Sequence, residues 1–239
     1  MISHNIHTAL AHERASTFLT EAQAARRAKQ ARPARPRAGW RRRPARPQPA
    51  EGTPVVLRDG SQVQIREVRG SDAPLLADGF ARLSARSRQQ RFLSPKHSLS
   101  AAELRVLTEV DHHDHEAIGA LSPADGRGVG IARYIRDPGD PEAAEIAVTI
   151  ADDWQGRGLG TELLARLSER ARQEGICRFT ATIAYGNAAM ATLLQNMGAE
   201  LAGHDHGTVD YVVDLDRTGE YGLDWWFRRA DDDRALSSG

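Results

Sequence analysis

The strongest constraint on this chain is a strand that must turn, through a loop paved with glycine, directly into an amphipathic helix. Ile146, Val148 and Ile150 alternate with Glu145, Ala147 and Thr149, the period of a strand with two chemically different faces. After Ala151-Asp152-Asp153-Trp154 comes Gln155-Gly156-Arg157-Gly158-Leu159-Gly160-Thr161. Leu159, Leu163, Leu164 and Leu167 then recur on one helical face. Glycines let backbone approach a ligand closely, and the first amides of a helix have no acceptor within it. With the positive end of the helix dipole they make a site for a phosphate or pyrophosphate. A dinucleotide fingerprint would need a third glycine where Thr161 stands, and an acid near Arg178 to Thr180 for the ribose. A P-loop would need Gly-Lys-Ser/Thr, which does not follow. A purely structural glycine turn reads the same way up to this point.

The flanking sequence supplies the rest of an α/β domain. Val55-Val56-Leu57 and Val63, Ile65 and Val68 predict two strands joined at Asp59-Gly60. Ser71-Asp72 ahead of Pro74 starts a helix that buries Leu75, Leu76, Phe80 and Leu83. Ser100 with Glu103 is a capping box for a second helix through Leu104 and Leu107. Strands follow over Ala117 to Leu121 and Val129 to Ile135, with Pro138-Gly139-Asp140-Pro141 as a turn. Phe179, Ala181 and Ile183 predict another strand, and Asn187 opens a helix that closes at Met197-Gly198.

Charge divides the chain where hydropathy does. Residues 1–50 hold eleven basic side chains against Glu13 and Glu21, so a net charge of zero conceals a basic arm on an acidic body. From Ala22 to Ala50 the text is almost entirely Ala, Arg, Pro and Gln, too polar to offset its ordering entropy, and a disordered arm is expected. Trp40-Arg41-Arg42-Arg43 has the charge for a weak contact with nucleic acid or an anionic surface, but no reading module accompanies it. The expected division is therefore 1–50 arm, 54–216 folded domain and 217–239 tail. One cysteine, Cys177, allows no intrachain disulfide, no apolar run reaches membrane-spanning length, and no secretory leader is evident; a cytoplasmic protein is expected.

Gln155-Gly156-Arg157-Gly158-Leu159-Gly160 resembles the Gln/Arg-x-x-Gly-x-Gly/Ala motif of the GNAT superfamily, whose loop binds the pyrophosphate of coenzyme A. Asn187 to Gly198 is similar to that superfamily's later motif. A narrower resemblance covers about 160 residues. Leu57-Arg58-Asp59-Gly60, Ser87-Arg88 through Arg91-Phe92, Glu109-Val110-Asp111, Arg133-Tyr134-Ile135-Arg136-Asp137, Ala144-Glu145-Ile146-Ala147 and Met197-Gly198-Ala199 stand in the order seen in bacterial Pat-type protein lysine acetyltransferases. The resemblance implies a GNAT fold: a mixed central sheet with flanking helices and a splayed strand pair that holds acyl-CoA. It also implies acetyl-CoA as co-substrate, a protein lysine as acceptor, and no metal.

Residue by residue, the resemblance makes Glu145 the general base. It assigns coenzyme contacts to Val148, Thr149, Ile150, Gln155, Gly156, Arg157, Gly158, Leu159, Gly160, Thr161 and Asn187. The chemistry needs such a base, because a lysine of pKa ~10.4 presents mostly as ammonium and attacks a thioester only when neutral. An exposed strand carboxylate in an ion pair would look the same at Glu145, and an N-capping asparagine the same at Asn187. Asp152 and Asp153 are reserve bases that also suit a strand end. Many relatives place a tyrosine acid seven residues after the asparagine; Leu194 stands there, so no side-chain acid is assigned. Asp111 to Glu116, with His112, His113 and His115, lacks a second set of ligands at a firm spacing for zinc, as do His204 and His206, expected in a turn before the last strand. Cys177 has no base at a recognised spacing and is expected to be a packed thiol. Three functions stay open: a protein lysine acetyltransferase, an acetyltransferase for a small amine or an N-terminus, and a non-catalytic acyl-CoA-binding regulatory module.

Overall fold

The computed structural model describes residues 52–205 and 207–216. The expected basic arm (1–50), the tail (217–239) and His206 lie outside the described residues. Eight strands form one sheet in the order β1-β2-β3-β4-β5-β6-β8-β7. They are β1 (Thr53–Val56), β2 (Gln62–Glu67), β3 (His115–Leu121), β4 (Gly128–Asp137), β5 (Asp140–Ile150), β6 (Arg178–Ala184), β7 (Glu200–Asp205) and β8 (Thr208–Asp214). Every neighbouring pair is antiparallel except β5 with β6, which is parallel. Five helices flank the sheet: α1 (Ala73–Arg82), α2 (Ala85–Phe92), α3 (Ala101–Thr108), α4 (Leu159–Gln173) and α5 (Ala188–Asn196). This is the mixed sheet with flanking helices expected from the sequence.

The local signals act as read, with two exceptions. Proline sits in the first turn of α1, and the Ser100–Glu103 capping box closes both ways on α3. Helix α2 has no counterpart among the sequence-predicted elements. Its text, Ala-Arg-Ser-Arg-Gln-Gln-Arg-Phe, carries no apolar stripe, and it starts where the Ser84 hydroxyl accepts from the Ser87 amide. His204 lies within β7 rather than in a turn, because β7 and β8 pair as a hairpin through His204↔Val209.

The alternation of β5 separates two environments. Tyr134 pairs with Ile146 and Ala132 with Val148, and these four residues pack in or against the core with Leu159, Leu163, Leu164 and Leu167 of α4. Each of those leucines is almost wholly buried, worth roughly 1.5–3 kcal/mol apiece, so the sheet is what holds the helix start in place. Gly130 makes that contact close. A Cβ there would lie 3.0 Å from Ile150 Cδ1, 3.0 Å from Leu159 Cδ2 and 3.1 Å from Leu163 Cδ1. Gly130→Val is therefore expected to cost about 1–3 kcal/mol by overpacking and to lower Tm by several degrees in a thermal melt. At Gly160 an added Cβ meets one flexible tip, Leu193 Cδ1 at 2.9 Å, so Gly160→Ala should change Tm far less.

Candidate active site

The β5–β6 ladder runs only through Ala143↔Arg178, Ala144↔Phe179 and Glu145↔Thr180. Beyond Glu145 the strands continue to Ile150 and Ala184 without pairing to each other, so the sheet opens between them. This is the splayed pair expected from the sequence. Glu145 occupies the last paired position before the opening. It shares the face of Ala147 and Thr149, opposite the α4 core, and α2 lies across β5 and β6 on that face.

Glu145 is exposed on β5, between the buried Ala144 and Ile146. Desolvation pushes it above the ordinary carboxylate range; Arg91 opposes that, while Asp137 and Asp210 add to it. Arg91, at the end of α2, is in turn driven down by burial and held up by Glu145. Nothing in a one-dimensional reading marked Arg91 beyond its place in a family motif; the fold of α2 brings it to the carboxylate.

At the far end of the opening, β5 gives way to a 3₁₀ turn (Asp152–Trp154) and the glycine loop. Gly156 (φ 76) and Gly158 (φ 90) are both left-handed, a conformation that glycine adopts without strain. Gly158 is the N-cap of α4 and offers no side chain, so the leading amides of that helix are left for a ligand or water. Thr161 stands in the first turn of α4, and Val148, Thr149 and Ile150 line the unpaired edge of β5.

Three expected site residues do something more definite than the sequence indicated. Arg157 does not project freely beside the loop. Its guanidinium lies 5.0 Å from the centroid of the Trp154 ring, donates to the Asp153 carbonyl at 2.6 Å and pairs with Asp59 at 3.3 Å. Gln155 Nε2 donates to the Ile150 carbonyl at 3.2 Å and ties the loop to the strand end. Asn187 Oδ1 accepts from the Met190 amide at 3.3 Å, so it caps α5, and Leu194 is fully buried in the core.

The reserve bases separate from the site. Asp152 accepts from the Ser84 amide (2.7 Å), the Ser84 hydroxyl (3.0 Å) and the Ser87 hydroxyl, fixing α2 against the end of β5. Burial works against its charge, but the hydrogen bonds from Ser87 and Ser84 together outweigh it and hold the carboxyl low. Asp153 is the middle residue of the same turn, and its carbonyl accepts from Arg157. Cys177 is half-exposed rather than packed; desolvation pushes its thiol up, with Asp216 and Glu142 adding to the effect, which makes it a poor nucleophile. In the histidine-rich run, His112 and Glu116 approach Glu67 closely enough to share an ion. The fully buried Glu116 is already held by His112 Nδ1 (2.8 Å), the Ala117 amide (2.8 Å) and Arg170 Nε (3.3 Å). That grouping reads as a buried ion-pair network joining β3 to α4.

A parallel strand pair that parts at a glutamate, closed by a glycine-capped helix, defines a class. Residues 62–200 match the acetyltransferase (GNAT) domain family. The chain is 33% identical over 166 residues to the acetyltransferase Pat of Mycolicibacterium smegmatis, across 68% of this chain and 48% of that protein. It is 37% identical over 144 residues to an acetyltransferase of Pseudomonas aeruginosa, across 59% and 77%. The solved GNAT domain of S. lividans Pat has a TM-score of 0.64 at 29% identity, covering 68% of this chain and 96% of that one. The chain belongs to the GNAT acetyltransferase family. It spans about half the length of the mycobacterial relative.

Proposed function

We propose that this domain is an acetyl-CoA-dependent N-acetyltransferase that acylates lysine side chains of proteins, with Glu145 as general base. The observation that carries the reading is the position of Glu145, at the last rung before β5 and β6 part and raised above the usual carboxylate range by desolvation. Acetyl-CoA would thread the opening with its pyrophosphate on the amides of Gly156 to Thr161. Its pantetheine arm would follow the free edge of β5 past Val148, Thr149 and Ile150, near Asn187. Gln155 and Arg157 brace the loop, the latter through Asp59, Asp153 and Trp154. A single cysteine and a thioester substrate suit the cytoplasm.

The steps follow from the charges. An acceptor ammonium is drawn to a face carrying Glu145, Asp137 and Asp210. Glu145 takes its proton, directly or through one water, and a carboxylate with a raised pKa is the better matched base. The amine attacks the thioester carbonyl, the C–N bond forms, and a β5 backbone amide near Val148 stabilises the oxyanion. The C–S bond then breaks, the thiolate leaves with its electron pair, and the proton that the attacking nitrogen still carries passes through water to the thiolate. Leu194, buried in the core, supplies no acid for that step.

The reading is tested by thiol release from acetyl-CoA in a cell lysate, followed by mass spectrometry of acetylated lysines. Enzyme-dependent acetyl-lysine on proteins is the expected result. Turnover confined to small amines would reject the protein substrate while keeping the chemistry. No turnover, with acetyl-CoA still bound, would mark a binding module.

A further inference from the structure

A cavity of about 100 Å³ lies between α1–α3 and the face of β3 and β4, on the same side of the sheet as Glu145. Its walls are largely apolar, but three arginines, Arg66, Arg91 and Arg133, line it. Arg133 is 4% exposed. It stands in mid-strand on β4 directly across from Ala147, so it shares the face of Glu145 one step along the neighbouring strand. Its guanidinium bonds to the Leu107 carbonyl (3.1 Å) and His115 Nε2 (3.1 Å), and no carboxylate pairs with it among the described residues. Burial drives its pKa down to about 9, with the charge of Arg91 adding to the effect.

A buried cation without a counter-charge is costly, and an anion that enters the cavity would offset that cost. Asp72, which also borders the cavity, is already committed to Arg66 through two hydrogen bonds of 2.6 and 2.8 Å. Around β5 the charges are thus sorted. Glu145, with Asp137 and Asp210 near it, favours an ammonium and is opposed by Arg91, while Arg133, further along the same face, is the cation left without a carboxylate. The planar fork of arginine matches a carboxylate in two hydrogen bonds, and the cavity has room for such a group and a short methylene stem.

From this juxtaposition we infer that Arg91 and Arg133 form a subsite for a carboxylate carried by the acceptor, close to the amine that is acylated. This rests on the reading of Glu145 as the reacting centre and narrows its substrate class: for a protein, a lysine flanked by Asp or Glu.

The test compares paired synthetic peptides, each with one lysine flanked by Glu or by Gln, by kcat/KM with acetyl-CoA. Wild type should prefer the acidic peptide by about tenfold or more, the usual weight of a hydrogen bond to a buried charge. Arg133→Met should bring the ratio near one; if that variant fails to fold, Arg133→Lys, which keeps the charge but loses the fork, should still reduce it. Equal use of both peptides by wild type would overturn the subsite and leave the lysine reading standing. A preference that survives in a folded Arg133→Met protein would also overturn it. A preference for succinyl-CoA over acetyl-CoA that Arg133→Met abolishes would place the carboxylate on the acyl donor and overturn the acceptor assignment. Acetylation of neither peptide would reject the lysine reading; a free amino acid against its carboxamide then decides the subsite by the same ratio.

Discussion

Glutamine in place of Glu145 is expected to slow acetyl transfer by about 10²–10⁴-fold at neutral pH while leaving acetyl-CoA affinity within a factor of a few. The substitution keeps shape and hydrogen-bonding reach but removes the ability to take a proton. In wild type, kcat/KM should rise with pH through an apparent ionisation that belongs to the carboxylate and the substrate amine together. The deficit of Glu145→Gln should shrink towards pH 10, where lysine loses its proton unaided. A pH–rate profile from about pH 6 to 10 decides the matter. A variant slowed equally at every pH would make Glu145 a structural residue, and so would one hardly slowed.

The same residue gives a stability signature of opposite sign. Desolvation raises the folded-state pKa of Glu145, and the attraction of Arg91 reduces that shift without reversing it. As pH rises, the unfolded chain ionises first and the folded chain must hold an unfavourable charge, so wild type loses stability across that window. Glu145→Gln should therefore melt higher than wild type at neutral pH, and the gain should vanish below the usual carboxylate range. Slower catalysis with a higher Tm is what a residue strained for function predicts. A merely structural salt bridge to Arg91 would lower Tm instead.

How much of this was legible in the sequence depends on whether a residue's role is periodic or tertiary. The leucines of α4 and the alternation of β5 announce themselves because burial on one face imposes a fixed period. The cap of α3 was legible because Ser100 and Glu103 satisfy each other three residues apart. Helix α2 was not, because it buries no residue completely, and its Ser84 cap is fixed by Asp152, 68 residues away in sequence, while Phe92 packs on Phe80 of α1. Arg91 and Arg133 belong to the same category. An arginine in a strand or on a polar helix reads as solvated surface, and only the crossing of α2 over the sheet turns the pair into cavity walls. One signal was available for Arg133: it interrupts a run, Val129 to Ile135, that is otherwise apolar apart from Gly130 and contains the hydrophobic Tyr134. A charge in the middle of a strand covered on both faces has to be paired or used. For Asn187, residue type indicated a cap and a ligand contact equally, and the capping bond is what the geometry displays.

Gly158→Asp is expected to lower acetyl-CoA affinity by about 100-fold or more, the second of the two largest effects. Gly158 holds φ 90 at the N-cap of α4, where its missing side chain leaves the leading amides open. An aspartate carboxylate there would compete for those amides and set a negative charge against the pyrophosphate, a juxtaposition that costs several kcal/mol. Part of any loss would come from the backbone. The left-handed φ strains a non-glycine residue by about 1–2 kcal/mol, and a Cβ would lie 3.2 Å from Arg58 Cγ. Gly158→Ala carries the same strain and the same Cβ without the charge, so the difference between the two variants isolates electrostatics at the loop. Calorimetry should show the alanine variant weakened modestly and the aspartate variant at least tenfold further. Both should lose only a few degrees in Tm, because the leucines of α4 remain packed against the sheet. Equal affinities for the two variants would move the pyrophosphate away from this helix start, and the glycines would then serve the turn alone.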